Sequence, residues 1–368
     1  MHQEEIEKVG SEVAQSLSEA SSHFEAPEHS VSMKDANSKY KLSSAMQKCI
    51  RRGLADKAVY FAQAIFNGGE AEYLWRRLPI IALEDVGLAD MMLCAQTLHF
   101  CRFKSVRLAL GERKTLSYLV HALAAGVKSR TLCDMACSVY FMKNKLERWT
   151  LNAGKMDYLQ SVQTQTMMDM LAHGWEPEGE IELKGHSSKT AQNACLDLLM
   201  ATGGPIAAYT AYAGQKKGTA NLHMPLEQAY SGTSNFLTDT EVKTLTLPEP
   251  VYLQGVPDWS FDQHTLDGKR AISYLIKSSS VLKAWASGHQ LELTSSAVNM
   301  VLFQTESALL DKQLVSPLIT SYQTFNDDLE TEHVGLTPQA ACELKILLNS
   351  EKLKVDLLYA RRRVLNLT

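Results

Sequence analysis

The sequence predicts a mainly α-helical protein, and three observations carry that prediction. Over most of residues 43–146 apolar side chains recur at i, i+3, i+4 and i+7, the spacing that places them on one face of a helix. The runs open on Ser or Asp and close on glycine, as in Ser43…Gly53 and Asp56…Gly68-Gly69. Side-chain caps and left-handed backbone belong at those places. The links between runs are a few residues long, as between packed helices.

Composition sets the class. A chain of 368 residues can bury a sizeable core and form two domains. Its charged, apolar and aromatic contents are those of a soluble globular protein. No apolar run approaches the ~20 residues of a membrane span. The start, MHQEEIEKVGSEVAQ, is acidic and polar, unlike a secretory signal or transit peptide. Seven cysteines, an odd and scattered set at positions 49, 94, 101, 133, 137, 195 and 342, point to reduced thiols in a cytoplasmic setting.

The formal net charge of -4 hides an asymmetry. Residues 1–38 carry net -6, residues 39–155 carry net +10 from 19 Lys/Arg and 9 Asp/Glu, and residues 156–368 carry net -8. A basic block between acidic ones implies an anionic partner such as DNA, or attraction among parts of the chain itself.

Taken in order, residues 1–38 are rich in Ser, Glu and Ala and predict an acidic flexible arm. Ile6, Val9, Val13 and Leu17 still fit one helical face suited to docking. Helices follow over SSAMQKCIRRG, over DKAVYFAQAIFNGG, over Ala71–Val86, from Asp90 through MMLCAQTLHFCRF, over Glu112–Ala125 and over Ser129–Leu146. The stretch WRRLPIIALEDVGLAD at 75–90 is the most distinctive. Its Gly87 suits a helix stop. Glu84 and Asp85 just before that stop face the negative end of the helix dipole, so an arginine should hold them. Arg51, Arg52, Arg76 and Arg77 are the expected partners.

Three segments together resemble the helical region that follows the ATPase module of the RarA/MgsA replication-associated AAA+ family, relatives of clamp-loader subunits. They are SAMQKCIRRG, DKAVYFAQAIFNGG and RRLPIIALEDVGLAD, followed by ERKTLSYLVHALAAGVKSR. The resemblance covers about residues 39–145. It implies a clamp-loader-like helical collar that joins subunits, and hence a homo-oligomer or a partner of a replication ATPase. Arg51, Arg52, Glu84, Asp85, Gly87 and Asp90 are then structural or interface residues. The family carries an ATPase ahead of this region, whereas about 38 polar residues precede it here. No GxxxxGK[ST] occurs; Gly185–Thr190 and Gly214–Thr219 hold the residue types in the wrong order. Met91 and Val127 replace prolines of the family pattern.

The rest divides into a mixed region, 151–255, and a C-terminal helical region, 256–368. In the first, Asp157–His173 and Ala191–Thr202 read as helices, Ile206–Ala213 as helix or strand, and residues 214–251 as an extended connection. In the second, a helix runs from about Asp267 to Ser287. Thr294 caps another, and Thr337-Pro338 opens a last helix that ends on Arg361-Arg362-Arg363. Those arginines complement the helix dipole and could meet phosphate.

Enzymatic chemistry finds little support. Asp262, His264 and Lys269 form the densest reactive group. One His and two Asp make no recognisable metal set, and a capping loop explains them. Cys133 and Cys137 share a helix face without two further zinc ligands. No metal or cofactor is expected. The cations Arg76, Arg77, Arg102, Lys104, Arg107, Arg113 and Lys114 are the candidate DNA contacts, with Lys104 and Arg107 on one face. The reading is a non-catalytic accessory of DNA replication or repair, acting by oligomerisation, DNA contact or binding to a replication ATPase. The alternatives are a sequence-independent DNA-binding protein and, distantly, an enzyme centred on Asp262, His264 and Lys269.

Overall fold

The computed structural model describes residues 3–29, 38–138, 141, 150–151, 181–182, 188–215, 217–219, 222, 225–226, 229–230 and 236–367. Among them helices dominate. No helix of the described residues is long and apolar enough to cross a membrane. The expected helix at 157–173 and the end of the helix at 129–146 lie outside the described residues.

The chain forms two compact units, each assembled from distant segments. One comprises Met1–Pro27, Ala71–Thr244 and Lys312–Asn326; the other comprises Glu28–Glu70, Leu245–Asp311 and Asp327–Thr368. The consecutive division at 38, 150 and 255 does not follow these seams. Long-range pairing is the reason. Glu241–Thr244 pairs antiparallel with Lys312–Val315, and both strands lie within 'extended connection' or 'helix' on periodicity alone.

In the first unit, α1 (Gln3–Ser22) replaces the expected flexible arm. Ile6, Val9, Val13 and Leu17 are buried, and α1 packs on α5 (Met91–Arg102), α7 (Glu112–Ala125) and α9 (Gly204–Gly214). The docking face outweighs the polar composition, because a helix needs only one apolar stripe to bury. α5 is the hub. Its residues 93–101 are all buried, as expected of a helix covered on every side. α4 (Ala71–Ile81), α6 (Lys104–Leu110) and α8 (Ser188–Thr202) complete the helices used below. The segment left open between helix and strand, 206–213, is helical as part of α9.

In the second unit, α2 (Ser38–Arg51) pairs with α3 (Ala55–Asn67) and touches the short turn Asp258–Ser260. A separate apolar core joins α10 (Leu266–Ser278), α11 (Ser280–Gly288), α12 (Ser295–Leu302), α14 (Pro338–Leu348) and α15 (Glu351–Val364) through Ile272, Leu275, Val301, Leu344 and Leu357. The expected helix to Ser287 breaks at Ser279, whose hydroxyl accepts from Leu282 N and caps α11. The C-terminal helix likewise breaks, with Ser350 capping α15. Serine competes with the backbone for hydrogen bonds, which makes it a helix start inside an apolar run. α13 (Pro317–His333) was not expected, since its apolar residues are sparse.

Candidate functional site

The stretch at 75–90 turns inward. After α4 the chain makes a π-helical turn, Ala82–Val86, and a 3-10 turn, Gly87–Ala89. Gly87 has φ 44° and ψ -120°, and a Cβ there would lie 3.2 Å from the Ser129 carbonyl, so both backbone and space favour glycine. The Asp85 side chain is fully buried, and Arg130 Nη1 donates to its Oδ1 at 2.9 Å. The Ser129 N–H donates to the Asp85 carbonyl at 3.0 Å. Burial alone would lower the Arg130 pKa; Cys133, Asp134, Asp85 and Glu84 outweigh it and hold the guanidinium well above its ordinary value. Asp90 caps α5 by accepting from Leu93 N at 2.9 Å. The Cys94 thiol donates to the Ala82 carbonyl.

An arginine therefore does hold this carboxylate, but it is Arg130, in place of Arg51, Arg52, Arg76 or Arg77. Asp85 would need a partner in its own unit, and Arg51 and Arg52 belong to the other. Arg76 is exposed, with Nε donating to the Glu72 carbonyl one turn back. Two cations, Lys128 and Arg130, inside the largely apolar run VKSRTLCDMAC were the available signal.

The basic block turns out to serve helix ends. Arg107 is buried: Nη1 donates to the Cys101 carbonyl at 2.9 Å, Nε pairs with Glu112 at 3.0 Å, and the guanidinium lies 5.1 Å from the Trp75 ring centre. Lys104 and Arg107 stand at i and i+3 of α6, as expected, but differ in exposure. Lys104 is exposed while Arg107 turns into the α5–α7 junction. Arg102 donates to the Tyr212 carbonyl near the end of α9 and stacks on the Tyr212 ring. Lys114, though exposed, donates to the Ser22 carbonyl at the end of α1 at 2.7 Å. Lys128 is buried on the Ala124 and Gly126 carbonyls. Helix C-termini leave carbonyls unpaired and carry partial negative charge, so these cations meet an internal demand. Arg113 and Arg77 are half-buried. Sequence reasoning missed Lys217. Burial lowers its pKa, and its charged neighbours are Arg107, Glu72 and Arg102.

The second unit holds a buried charge network. Arg361 reaches Glu306 through both terminal nitrogens, with Nη1–Oε1 at 3.0 Å, and Asp258 at 3.3 Å. Glu306 sits on a second π-helical turn, Phe303–Ser307. Arg52 donates to the Glu306 carbonyl at 2.8 Å and lies 4.7 Å from the Trp259 ring centre, and Arg51 donates to the Ser307 carbonyl at 3.0 Å. Burial raises the Asp258 carboxyl, and Arg361 only partly offsets that.

Asp262 belongs to this network. Its Oδ2 lies 2.8 Å from Lys48 Nζ, both side chains almost fully buried. Burial pushes the carboxyl up, but the Lys48 charge prevails and holds it below the usual carboxylate range. Oδ1 accepts from His264 N at 3.0 Å, and Thr265 caps α10 through Gly268 N. A Cβ on Gly268 would meet Asp262 backbone at 2.0 Å. Asp262 thus closes a turn, Lys269 is exposed, and the three residues do not converge on a reaction centre. No group of three or more His, Cys, Asp or Glu among the described residues could hold a metal ion. The Cys133 and Cys137 thiols share a hydrogen bond, and both are free.

Comparison with known proteins follows the same segment. Residues 54–142 match the family model described as MgsA AAA+ ATPase C terminal. Over 57 residues the chain is 41% identical to Replication-associated recombination protein A of Bacillus subtilis (strain 168), which is 16% of this chain and 14% of that protein. The chain thus matches about one seventh of the length of that curated relative. No solved structure matches the chain. Residues 54–142 are a RarA/MgsA-like C-terminal helical region, made of α3 from one unit and α4–α7 and the stretch after them from the other.

Proposed function

Starting from that helical region, we propose that the protein is a non-catalytic accessory of DNA replication or repair that works by assembly, with itself or with a replication ATPase. One observation carries the reading. Two carboxylates of the most distinctive family-like segment are used to hold its own fold, Asp85 on Arg130 and Asp90 on the α5 N-terminus. Such a segment is a scaffold for a surface rather than a reaction centre. Nucleotide chemistry would then belong to the partner, and calorimetry of the purified chain with ATP should show no tight binding.

Sedimentation of the full chain, with and without a RarA-type ATPase, tests the assembly reading. A self-associated species or a mixed complex supports it. A strict monomer that forms no complex with the ATPase overturns it.

A second reading, sequence-independent DNA binding by the basic block, rests on narrower ground than charge alone suggested. Exposed Arg76 and Lys104 favour it. Each phosphate contact on duplex DNA should steepen the salt dependence by about 0.9 in log–log slope. Affinity for duplex that is independent of salt excludes it.

A further inference from the structure

Two adjacent helices of the second unit carry a different surface. On α15, Tyr359, Arg362 and Arg363 follow one another at i, i+3 and i+4, all exposed, Tyr359 at 46%. On α10, Arg270, Tyr274 and Lys277 follow at i, i+4 and i+7, with both cations exposed and Tyr274 half-buried. Residues at these spacings share a helix face. The two rows meet. The Tyr274 and Tyr359 ring centres lie 6.3 Å apart, and the Arg363 guanidinium lies 5.1 Å from the Tyr274 ring centre.

The surface is four cations around two tyrosines. Carboxylates of the same two helices pair with other lysines: Asp267 lies 2.6 Å from Lys41, Asp356 3.3 Å from Lys352 and Glu351 3.8 Å from Lys354. Arg270 retains only a loose 3.9 Å approach to Asp267, its side chain 62% exposed. Arg361, the neighbour of Arg362, points the other way into the buried network. Of the four cations, Arg270 alone approaches a carboxylate among the described residues. Cations that caps and ion pairs consume in the first unit are here left to solvent.

We propose that this α10–α15 face binds a single-stranded polynucleotide. Phosphates would lie on Arg270, Lys277, Arg362 and Arg363, and a base would stack on Tyr359. Cations tracking a backbone and an aromatic ring offering a flat face are the two parts of sequence-tolerant single-strand binding. A lipid surface or an acidic peptide would use the charges without the ring. The proposal does not rest on the assembly reading, and it lies outside the residues that resemble the RarA/MgsA region.

The test is fluorescence anisotropy of the full chain with labelled oligo(dT), oligo(rU) and a duplex of equal length, over a range of salt. Oligo(dT) should bind with a log–log salt slope of about -3, from ~0.7 per phosphate at four contacts. Replacing Arg362 and Arg363 together by Ala should make the slope shallower by about 1.4. Tyr359→Ala should weaken oligo(dT) binding about tenfold or more, through lost stacking, while Tyr359→Phe retains it. Equal affinity for oligo(rU) would assign the site to either sugar, and preference for one would assign the natural strand. Ultraviolet crosslinking of oligo(dT) to the wild-type chain, mapped by mass spectrometry, requires no variant to fold. Crosslinks at Tyr274 or Tyr359 support the site. No binding of oligo(dT), crosslinks confined to other segments, or a Tyr359→Ala protein with wild-type affinity overturns it. A strict monomer that forms no complex with the ATPase yet passes these arms would reject the assembly reading and leave this one standing.

Discussion

Arg130 donates to Asp85 at 2.9 Å across 45 residues of sequence, and the carboxylate it meets is fully buried. Removing one member of a buried pair leaves the other charge uncompensated, at a cost of about 3–5 kcal/mol. Asp85→Ala should therefore lower stability by roughly that amount in urea unfolding. An Asp85→Leu/Arg130→Met double variant should recover a large part of the loss, because neither charge then remains. Additive losses would mean that the pair is not the interaction removed.

His99 gives a pH dependence with a defined sign. Burial, then the nearby Arg102 charge, lowers its pKa from 6.5 to about 4, and Nδ1 contacts the Tyr209 hydroxyl. Below pH 6.5 the unfolded chain takes up a proton that the folded chain refuses until about pH 4. The stabilising contribution is thus complete above 6.5 and is lost as the pH falls through that window, by ~3 kcal/mol in all. His99→Phe cannot take up the proton. Its stability should fall less steeply between pH 6.5 and 4 than wild type, whatever its absolute value, as measured by urea unfolding at each pH.

Arg107 separates fold from DNA contact. Arg107→Ala should destabilise the first unit by about 2–4 kcal/mol, as for other buried and hydrogen-bonded charges. The salt slope of any duplex binding should be unchanged. Lys104→Ala should do the reverse, with stability within about 0.5 kcal/mol of wild type and a slope shallower by about 0.9 if that lysine meets a phosphate. A shallower slope for a folded Arg107→Ala protein would return Arg107 to the contacting set.

Three consecutive arginines should divide in the same way. Arg361 is 2% exposed and bidentate on Glu306, whereas Arg362 and Arg363 are exposed. Arg361→Ala should cost about 3–5 kcal/mol. Arg362→Ala should leave the melting temperature within a degree or two, in keeping with surface substitutions of under about 0.5 kcal/mol.

These divisions explain what the sequence revealed. Helical periodicity and caps such as Asp90, Thr294 and Thr337 were legible because they are local: each cap bonds to an N–H three residues on. The need for an arginine at Asp85 was legible too, since a carboxylate at a helix end requires offset. Its identity was not, because Arg130 arrives through a tertiary turn that no spacing rule encodes. Net charge misled for a related reason. Arg102, Arg107 and Lys114 count as +3 in any window, yet their hydrogen bonds run to carbonyls of Tyr212, Cys101 and Ser22, and composition does not see carbonyls. The breaks at Ser279 and Ser350 were hidden inside continuous apolar periodicity. The helix α1 was masked by polar composition, although Val9, Val13 and Leu17 had announced its inner face.

The π-helical turn at Ala82–Val86 amounts to one residue more than a regular helix would use. Each α-helical residue advances the azimuth by about 100°. Deleting a single residue from the widened turn would remove that excess and close it to ordinary helix with its flanks near their present azimuth, whereas a deletion in the regular helix of α4 would swing whatever follows by about that angle. Asp85 would leave Arg130, and Gly87 would no longer stand beside the Ser129 carbonyl. A scan of one-residue deletions should therefore show a sharper loss of folded protein in the regular helix at 76–81 than at 82–84, where the turn holds a residue in excess.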